Sequence, residues 1–525
     1  MRMGETADII VVGGGIGGCM AALAAAKAGR KVVLTEETDW LGGQLTSQAV
    51  PPDEHPWIES FGCTRSYREF RERVRRYYRD HYPLTGEARG NPALNPGNGW
   101  VSRLCHEPRV ALRVLEDMMA PYVSSGQIAI RYHCRPVGVR MNGEFAESVD
   151  VRCEKTGRIL TLQGRYYIDA TECGDVLPLA GVEYVTGAEA RSETGEPHAP
   201  PTADPLDIQP ITHVFAVDCI EGGDFTIERP EQYEFWRSFV PGYSRDPLFG
   251  WKIPNASKTD EMRTISFMPD GIDPMPLWTY RRIIDASLFE PGFYRSDITL
   301  INWSHNDYLL GPIYDVSETE RQTHLEGARQ LSLSLVYWLQ TEAPRPDGGR
   351  GYPGIRLRGD VLGTADGLAK RPYIRESRRI KAVRTVTEHD VSRELRGSEG
   401  IRRYEDSVGV GSYHLDVHPT VRTNRTFYIP SVPYEIPLGA LLPIRVENVL
   451  PGCKNIGTTQ VANGCYRLHP AEWNIGEAVG YLAAYAVQHG VTPRAVRDSP
   501  EHLRSYLNLI RAAGIETHWP EDLKF

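Results

Sequence analysis

Residues 9–12 form an unbroken apolar run, Ile-Ile-Val-Val, that ends in "GGGIGG". A run that short and β-branched, stopped by glycine, predicts a buried strand entering a tight turn. Alanine dominates residues 19–27, so a helix with small residues facing the sheet is predicted there, with Gly29 at its C-cap. The apolar run returns in "KVVLTE" as a second strand. Over residues 65–80 the period becomes helical, with Tyr67, Phe70, Val74, Tyr77 and Tyr78 along one face and arginines on the others. Pro108 suits a first turn and opens a further predicted helix.

Between 128 and 162 polar and apolar residues alternate, with turns at Asn142-Gly143 and Thr156-Gly157, which predicts a small antiparallel meander whose first strand covers 128–134. An apolar strand follows, ending in Asp169-Ala170-Thr171 and a turn at Gly174. From 204 to 394 prolines, aromatics and short irregular strands take over. One long helix is predicted there at 318–341, opened by a Ser317/Glu320 capping box and stopped before Pro344. The last apolar helix, "NIGEAVGYLAAYAVQHG", is expected to begin at Asn474 and to end at Gly490. This order predicts an α/β fold. Residues 1–203 and 395–525 build a Rossmann-like domain of parallel sheet, helices and meander, and 204–394 an inserted α+β substrate domain.

A formal net charge of -9 over 525 residues argues against nucleic acid or an anionic membrane as the partner and favours a small molecule. The nine cysteines are scattered and include no C-x-x-C pair, so they read as reduced thiols of a cytoplasmic protein with no dithiol redox centre and no metal site. No run reaches the length of a membrane span.

Gly13, Gly15 and Gly18 satisfy G-x-G-x-x-G between a strand and a helix, the arrangement that brings a dinucleotide pyrophosphate onto a helix N-terminus. Glu36, at the end of the second strand, suits the two ribose hydroxyls and would repel a 2′-phosphate. Nicotinamide and flavin nucleotides share this half, so the fingerprint alone leaves the cofactor open.

The stretches "GGGIGG", "LTEETDWLGGQLT", "YYIDATECGD", "RPYIRESRRI", "DSVGVGSYHLDVHP" and "NVLPGCKNIGTTQVANGCYRLHPAEWNIGEAVGYLAA" together resemble the FAD-dependent oxidoreductase family, with an FAD-binding domain of the glutathione-reductase type. The resemblance implies FAD as cofactor. It implies that Gly13, Gly15, Ile16, Gly17 and Gly18 meet the pyrophosphate, and that Glu36, with Glu37, meets the adenosine ribose. Gly42, Gly43 and Gln44 would lie near the flavin, and Asp169, Thr171 and Gly174 would close over the adenosine half. Asn474, Ile475 and Gly476 would begin a helix whose positive end faces the flavin and stabilises the charge of its reduced form.

No second G-x-G-x-x-G follows a strand, so electrons are expected to come from the substrate, as in a dehydrogenase or oxidase that passes a hydride from a C–H beside oxygen or nitrogen to flavin N5. The alternatives are a monooxygenase reduced by NAD(P)H or a separate reductase, and a non-redox or structural flavoprotein. The base would be His469, His106 or His305, since imidazole titrates near working pH. Arg467 and Arg375, the latter clustered with Arg378 and Arg379, could clamp a carboxylate or sugar acid, and Tyr308 and Trp303 would supply an aromatic wall. Internal pairing and core packing remain open for each of these. Whether FAD is covalently attached, and the oligomeric state, are left open.

Overall fold

The computed structural model describes residues 3–255, 258–271 and 273–525. β1 (Met3–Thr6) and β2 (Ile9–Val12) open the chain, and α1 (Ile16–Lys27) returns it to β3 (Val32–Thr35). After α2 (Arg65–His81) and α3 (Pro108–Ser124) come β4 (Ile128–Arg131), β5 (Cys134–Asn142), β6 (Phe145–Cys153), β7 (Ile159–Gln163) and β8 (Tyr166–Asp169). The middle of the chain supplies β9 (Phe215–Cys219), β10 (Arg282–Ile284), β11 (Ile298–Ile301), α4 (Glu318–Thr341) and β12 (Ile355–Leu357). The remainder contributes β13 (Leu415–Val417), β14 (Phe427–Ile429), β15 (Val449–Pro451), α5 (His469–His489) and α6 (Pro500–Ala513).

Five strands build a parallel sheet in the order β15-β8-β2-β3-β4, the Rossmann-like sheet. β2 sits at its centre and is buried on both faces, which is why it is apolar throughout. Its residues still alternate. Ile9 and Val11 pack into the core shared with α1 and α5, while Ile10 and Val12 pack against Val149, Val151 and Leu162 of a second sheet, β1-β7-β6-β5. Three layers result: helices, parallel sheet, meander.

β4 departs from expectation. It pairs in parallel with β3 as the edge of the main sheet, and the meander begins only at β5. The chain turns between them through His133, which takes a left-handed φ of 58°. Alternation in "IAIR" marks a half-buried strand but says nothing of its partner.

α5 also differs: it starts at His469, with Pro470 in its first turn, so Asn474, Ile475 and Gly476 lie inside the helix and do not begin it. Its small residues serve the crossing with α1. A Cβ on Gly476 would meet the Gly17 carbonyl oxygen at 2.2 Å, and one on Gly480 the Ala21 carbonyl oxygen at 2.4 Å. Gly17 and Gly476 therefore let two backbones touch where α1 and α5 cross.

A separate core, including Phe215, Trp236, Ile301 and Leu335, lies between α4 and an antiparallel sheet in the order β10-β11-β9-β12. α4 has the expected capping box, the Ser317 hydroxyl accepting from the Glu320 N–H at 3.2 Å. In α2 Tyr67, Phe70, Val74 and Tyr78 are buried as expected and Tyr77 is half-buried, but Arg71 and Arg75 are buried as well, paired with Glu54 and Glu59. Among the described residues no helix is long and apolar enough to cross a membrane.

Candidate active site

A cleft of about 610 Å³ runs over the carboxyl ends of β2 and β3, lined by Gly13, Gly15, Glu36, Glu37, Gly43 and Thr171 among others. Gly13 adopts φ 101°, and a Cβ there would meet the Ala170 carbonyl oxygen at 2.3 Å, so the turn admits glycine alone. The first turn of α1 holds no acidic side chain of its own, and the Glu172 carboxylate that reaches Gly15 from the neighbouring loop is paired with Lys454. Glu36 is buried at the strand end. Its Oε2 accepts the Gly14 N–H at 3.1 Å, and its Oε1 accepts the Thr38 N–H and hydroxyl, each at 2.8 Å. Burial first, then Glu37 and Glu172, raise its pKa to about 7 against the hydrogen bonds from Thr38. The chemistry of this donor set fits the adenosine and pyrophosphate of FAD.

Other expected contacts are arranged differently. Asp169 is turned inward: Thr171 donates to its Oδ1 through N–H at 3.0 Å and hydroxyl at 2.7 Å, and the Val176 N–H to its Oδ2 at 3.0 Å. It shapes the loop that carries Thr171 to the cleft, and Gly174 (φ 65°) turns that loop against Ser377 and Arg378. Gly42 donates its N–H to the Gly14 carbonyl at 2.8 Å, tying the two glycine loops together. Gln44 donates to the Arg467 carbonyl at 3.1 Å, and its Oε1 has no protein partner. The Asn474 Nδ2 donates to the Val408 carbonyl at 2.9 Å, and its Oδ1 has no protein partner. Ile16 and Gly18 lie buried in α1, a Cβ on Gly18 meeting the Gly13 carbonyl at 1.8 Å.

Lys454 is a residue the sequence reading passes over. Its fully buried ammonium bridges Glu172 and Glu472, the latter in the first turn of α5, and the two carboxylates outweigh burial to keep it charged. A lone lysine in the turn "PGCKNIG" is the only signal the sequence offers.

A second cavity, about 1340 Å³ and partly open to solvent, lies behind one wall of the cofactor cleft. That wall is the segment 371–375. Arg371, Pro372 and Ile374 line the cofactor cleft, whereas Tyr373 and Arg375 line the larger cavity. The segment is bridged to Thr212 through Tyr373, and from Pro372 to Arg375 successive side chains point to opposite sides, while Arg371 lies in a bend before them. One short segment thus separates and joins the two clefts.

The larger cavity is lined by Arg263, Arg281, Arg375, Arg467 and His418 against two carboxylates, Asp53 and Asp416, with tyrosines around them. Arg467 donates to the Tyr373 hydroxyl at 2.8 Å and pairs with Asp416 at 3.1 Å. Arg375 pairs with buried Asp307 at 3.0 Å. Arg281 is different: its Nη1 stands 3.7 Å from Asp53, and neither its Nε nor its Nη1 has a hydrogen-bond partner. His418 Nδ1 bonds Asp307 at 2.6 Å, and its Nε2 lies 3.7 Å from Asp416. Burial and Arg375 oppose its charge, but Asp307 and Asp416 outweigh them and raise its pKa above the ordinary imidazole value.

The three histidines singled out in the sequence lie elsewhere. His469 accepts the Asp53 N–H at Nδ1 (3.1 Å) and donates from Nε2 to the Val50 carbonyl (3.2 Å), so both ring nitrogens hold backbone. Burial, then Arg281, push its pKa down to about 3. His106 bonds the Glu107 carbonyl and His305 the Gly250 carbonyl, and burial lowers each to about 4. None of the three lines either cleft. Tyr308 is a core residue, its hydroxyl on His324 at 3.0 Å and its ring beside Trp236, while Trp303 does line the cavity. Arg378 and Arg379 are internally paired, with Asp175 and Asp315 and with Glu189 and Glu376.

Among solved structures, a geranylgeranyl bacteriochlorophyll reductase-like protein from Thermoplasma acidophilum is 12% identical over 98% of this chain and 85% of its own, with a TM-score of 0.33. The E. coli quinol fumarate reductase is 9% identical over 97% and 74%, with a TM-score of 0.32. An L-proline dehydrogenase from P. horikoshii is 15% identical over 36% of this chain, which spans 25% of that one, with a TM-score of 0.19. Scores this low carry no functional argument. No curated protein shows a significant match. The family model for FAD dependent oxidoreductases matches residues 8–507, nearly the whole chain. The chain belongs to that family, and the enzyme's cofactor is FAD.

Proposed function

We propose that the enzyme is a flavin dehydrogenase or oxidase acting on a small carboxylate-bearing substrate at a C–H beside oxygen or nitrogen. The observation that carries this reading is the shared wall: the arginine-rich cavity and the cofactor cleft meet across 371–375. FAD, when bound, supplies the hydride acceptor.

The residues of this chain do the rest. Gly13, Gly15 and the α1 N-terminus receive the pyrophosphate, and Glu36 the ribose. In the cavity Arg281, whose Nε and Nη1 make no hydrogen bond, offers the carboxylate of the substrate a charge-assisted partner. Arg467 is held to Tyr373 and Asp416 and presents a second, fixed cation. His418 accepts the O–H or N–H proton at Nε2, because Asp307 holds the proton on Nδ1 and so fixes the tautomer. Tyr280, Tyr413 and Tyr428 wall the cavity and limit water.

The test is anaerobic mixing of the flavin-loaded enzyme with 2-hydroxy and 2-amino carboxylates. Bleaching by substrate alone is the expected result. Bleaching only by NAD(P)H would replace this reading with a monooxygenase, and bleaching by neither would favour a non-redox flavoprotein.

A further inference from the structure

Cys134 and Cys153 are 19 positions apart in sequence and face each other directly across the antiparallel pair of β5 and β6. The Glu154 N–H donates to the His133 carbonyl at 2.8 Å. That bond flanks the pair and makes it a non-hydrogen-bonded site, the position at which opposed Cα atoms come within about 4.5 Å and side chains are closest. Such a spacing falls at the short end of the range a disulfide spans, about 4.4–6.8 Å between Cα atoms. Both thiols are free, and Cys134 Sγ donates to the Tyr132 carbonyl at 3.3 Å.

Their surroundings are unequal. Cys153 is half-buried at the start of the turn before Gly157, whose N–H donates to the Cys153 carbonyl at 2.7 Å, and the Thr156 hydroxyl and turn backbone beside its sulfur lower its pKa. Cys134 is buried, and burial followed by Cys153 pushes its thiol up to about 11. Both line a surface hollow of about 1070 Å³ that also presents Arg131, Arg158 and Thr156. Of the other cysteines only Cys219 is half-buried, and its strand partner is Ile355. One accessible thiol whose ionisation is favoured, beside one buried thiol, is the arrangement of an attacking and a resolving cysteine.

We infer that Cys153 and Cys134 form a redox-active dithiol that exchanges with a low-molecular-weight peptide disulfide docked in this hollow. The Cys153 thiolate attacks one sulfur of the disulfide, making a mixed disulfide and expelling one thiolate, which takes up the proton Cys153 released. Cys134, losing its proton as it attacks, displaces the second peptide thiol, which that proton neutralises. Two protein thiols are oxidised by two electrons, and one disulfide becomes two thiols. The pair lies behind the adenosine end of the FAD site, since the Cys134 N–H donates to the Glu36 carbonyl at 2.8 Å.

The experiment treats the folded, flavin-loaded enzyme with oxidised glutathione, blocks remaining thiols and maps peptides by mass spectrometry. The expected product lacks two hydrogen atoms, carries a Cys134–Cys153 cross-link and reverts with dithiothreitol. Cys134→Ser should trap one glutathionyl group on Cys153, and Cys153→Ser should take up none. A wild-type protein that keeps all nine thiols, or that is modified first at Cys219, overturns the proposal. So does a stable glutathionyl adduct on wild-type Cys153, because it would mean that Cys134 does not resolve it.

Discussion

His418 Nδ1 lies 2.6 Å from Asp307 Oδ2, and the other oxygen of the same carboxylate is held by Arg375 at 3.0 Å. Asp307 stays ionised even though it is buried, because Arg375 and His418 bring its pKa down to about 2. It therefore bears on His418 as a fixed anion.

Flavin reduction by substrate should rise with pH and level off. Below its pKa His418 already carries the proton it must accept, and that pKa is raised above the ordinary 6.5, so the midpoint lies above 6.5. The groups facing it are Asp307, Asp416 and Arg375. Asp307→Asn removes an anion and leaves the Arg375 cation uncompensated, so the midpoint should fall. Stopped-flow bleaching across pH checks this, and an unmoved midpoint in the variant would remove the pair from the mechanism.

Arg281→Gln should raise KM for carboxylate substrates about 100-fold, consistent with the loss of a charge-assisted pair worth roughly 1.5–3 kcal/mol. Amide analogues of the same substrates should lose far less. Equal losses for acid and amide would place Arg281 in a structural role.

His469 joins the first turn of α5 to the backbone at Val50 and Asp53, and its folded pKa of about 3 lies below the ordinary 6.5. A depressed histidine stabilises the fold in its neutral form. That stability is full above 6.5 and is lost as the pH falls toward 3. His469→Gln should lower stability at neutral pH by about 1–3 kcal/mol through its broken buried bonds, and should flatten the acid loss. Urea unfolding at several pH values measures both. The midpoint of flavin reduction should not move, which separates this role from that of His418.

Gly476→Ala places a methyl group against the Gly17 carbonyl, where a Cβ has only 2.2 Å. Forcing α1 and α5 apart should cost about 3 kcal/mol and loosen the phosphate loop that begins α1. A fall in Tm accompanied by faster FAD loss on gel filtration is the expected outcome. A fall in Tm with FAD retention unchanged would show that the crossing does not govern the loop.

Several features were legible in the sequence because their causes act within a few residues of each other. The glycine loop needs its left-handed turn at Gly13, α4 needs Ser317 and Glu320 one turn apart, and Glu36 ends an apolar strand; each is a local rule. Pro470 also marked the start of α5, but the apolar run after Asn474 drew the boundary too late. What long-range packing decides was hidden. β4 pairs with β3 because the main sheet offers an edge there, not because of any residue within it. "RPYIR" reads as a basic stretch until a bend at Arg371 and the alternation after it send Ile374 to one cleft and Arg375 to the other. His418 stood in "DVHP" without a partner, since Asp307 is 111 positions away, and Cys134 and Cys153 became a pair only when β5 folded onto β6. By itself the sequence determined the glycine turn after β2, the acid that ends β3, and the family with its FAD cofactor. The tertiary structure decided which charged and sulfur groups meet, because Coulomb attraction, desolvation and thiol exchange depend on distance in space, to which separation along the chain is no guide.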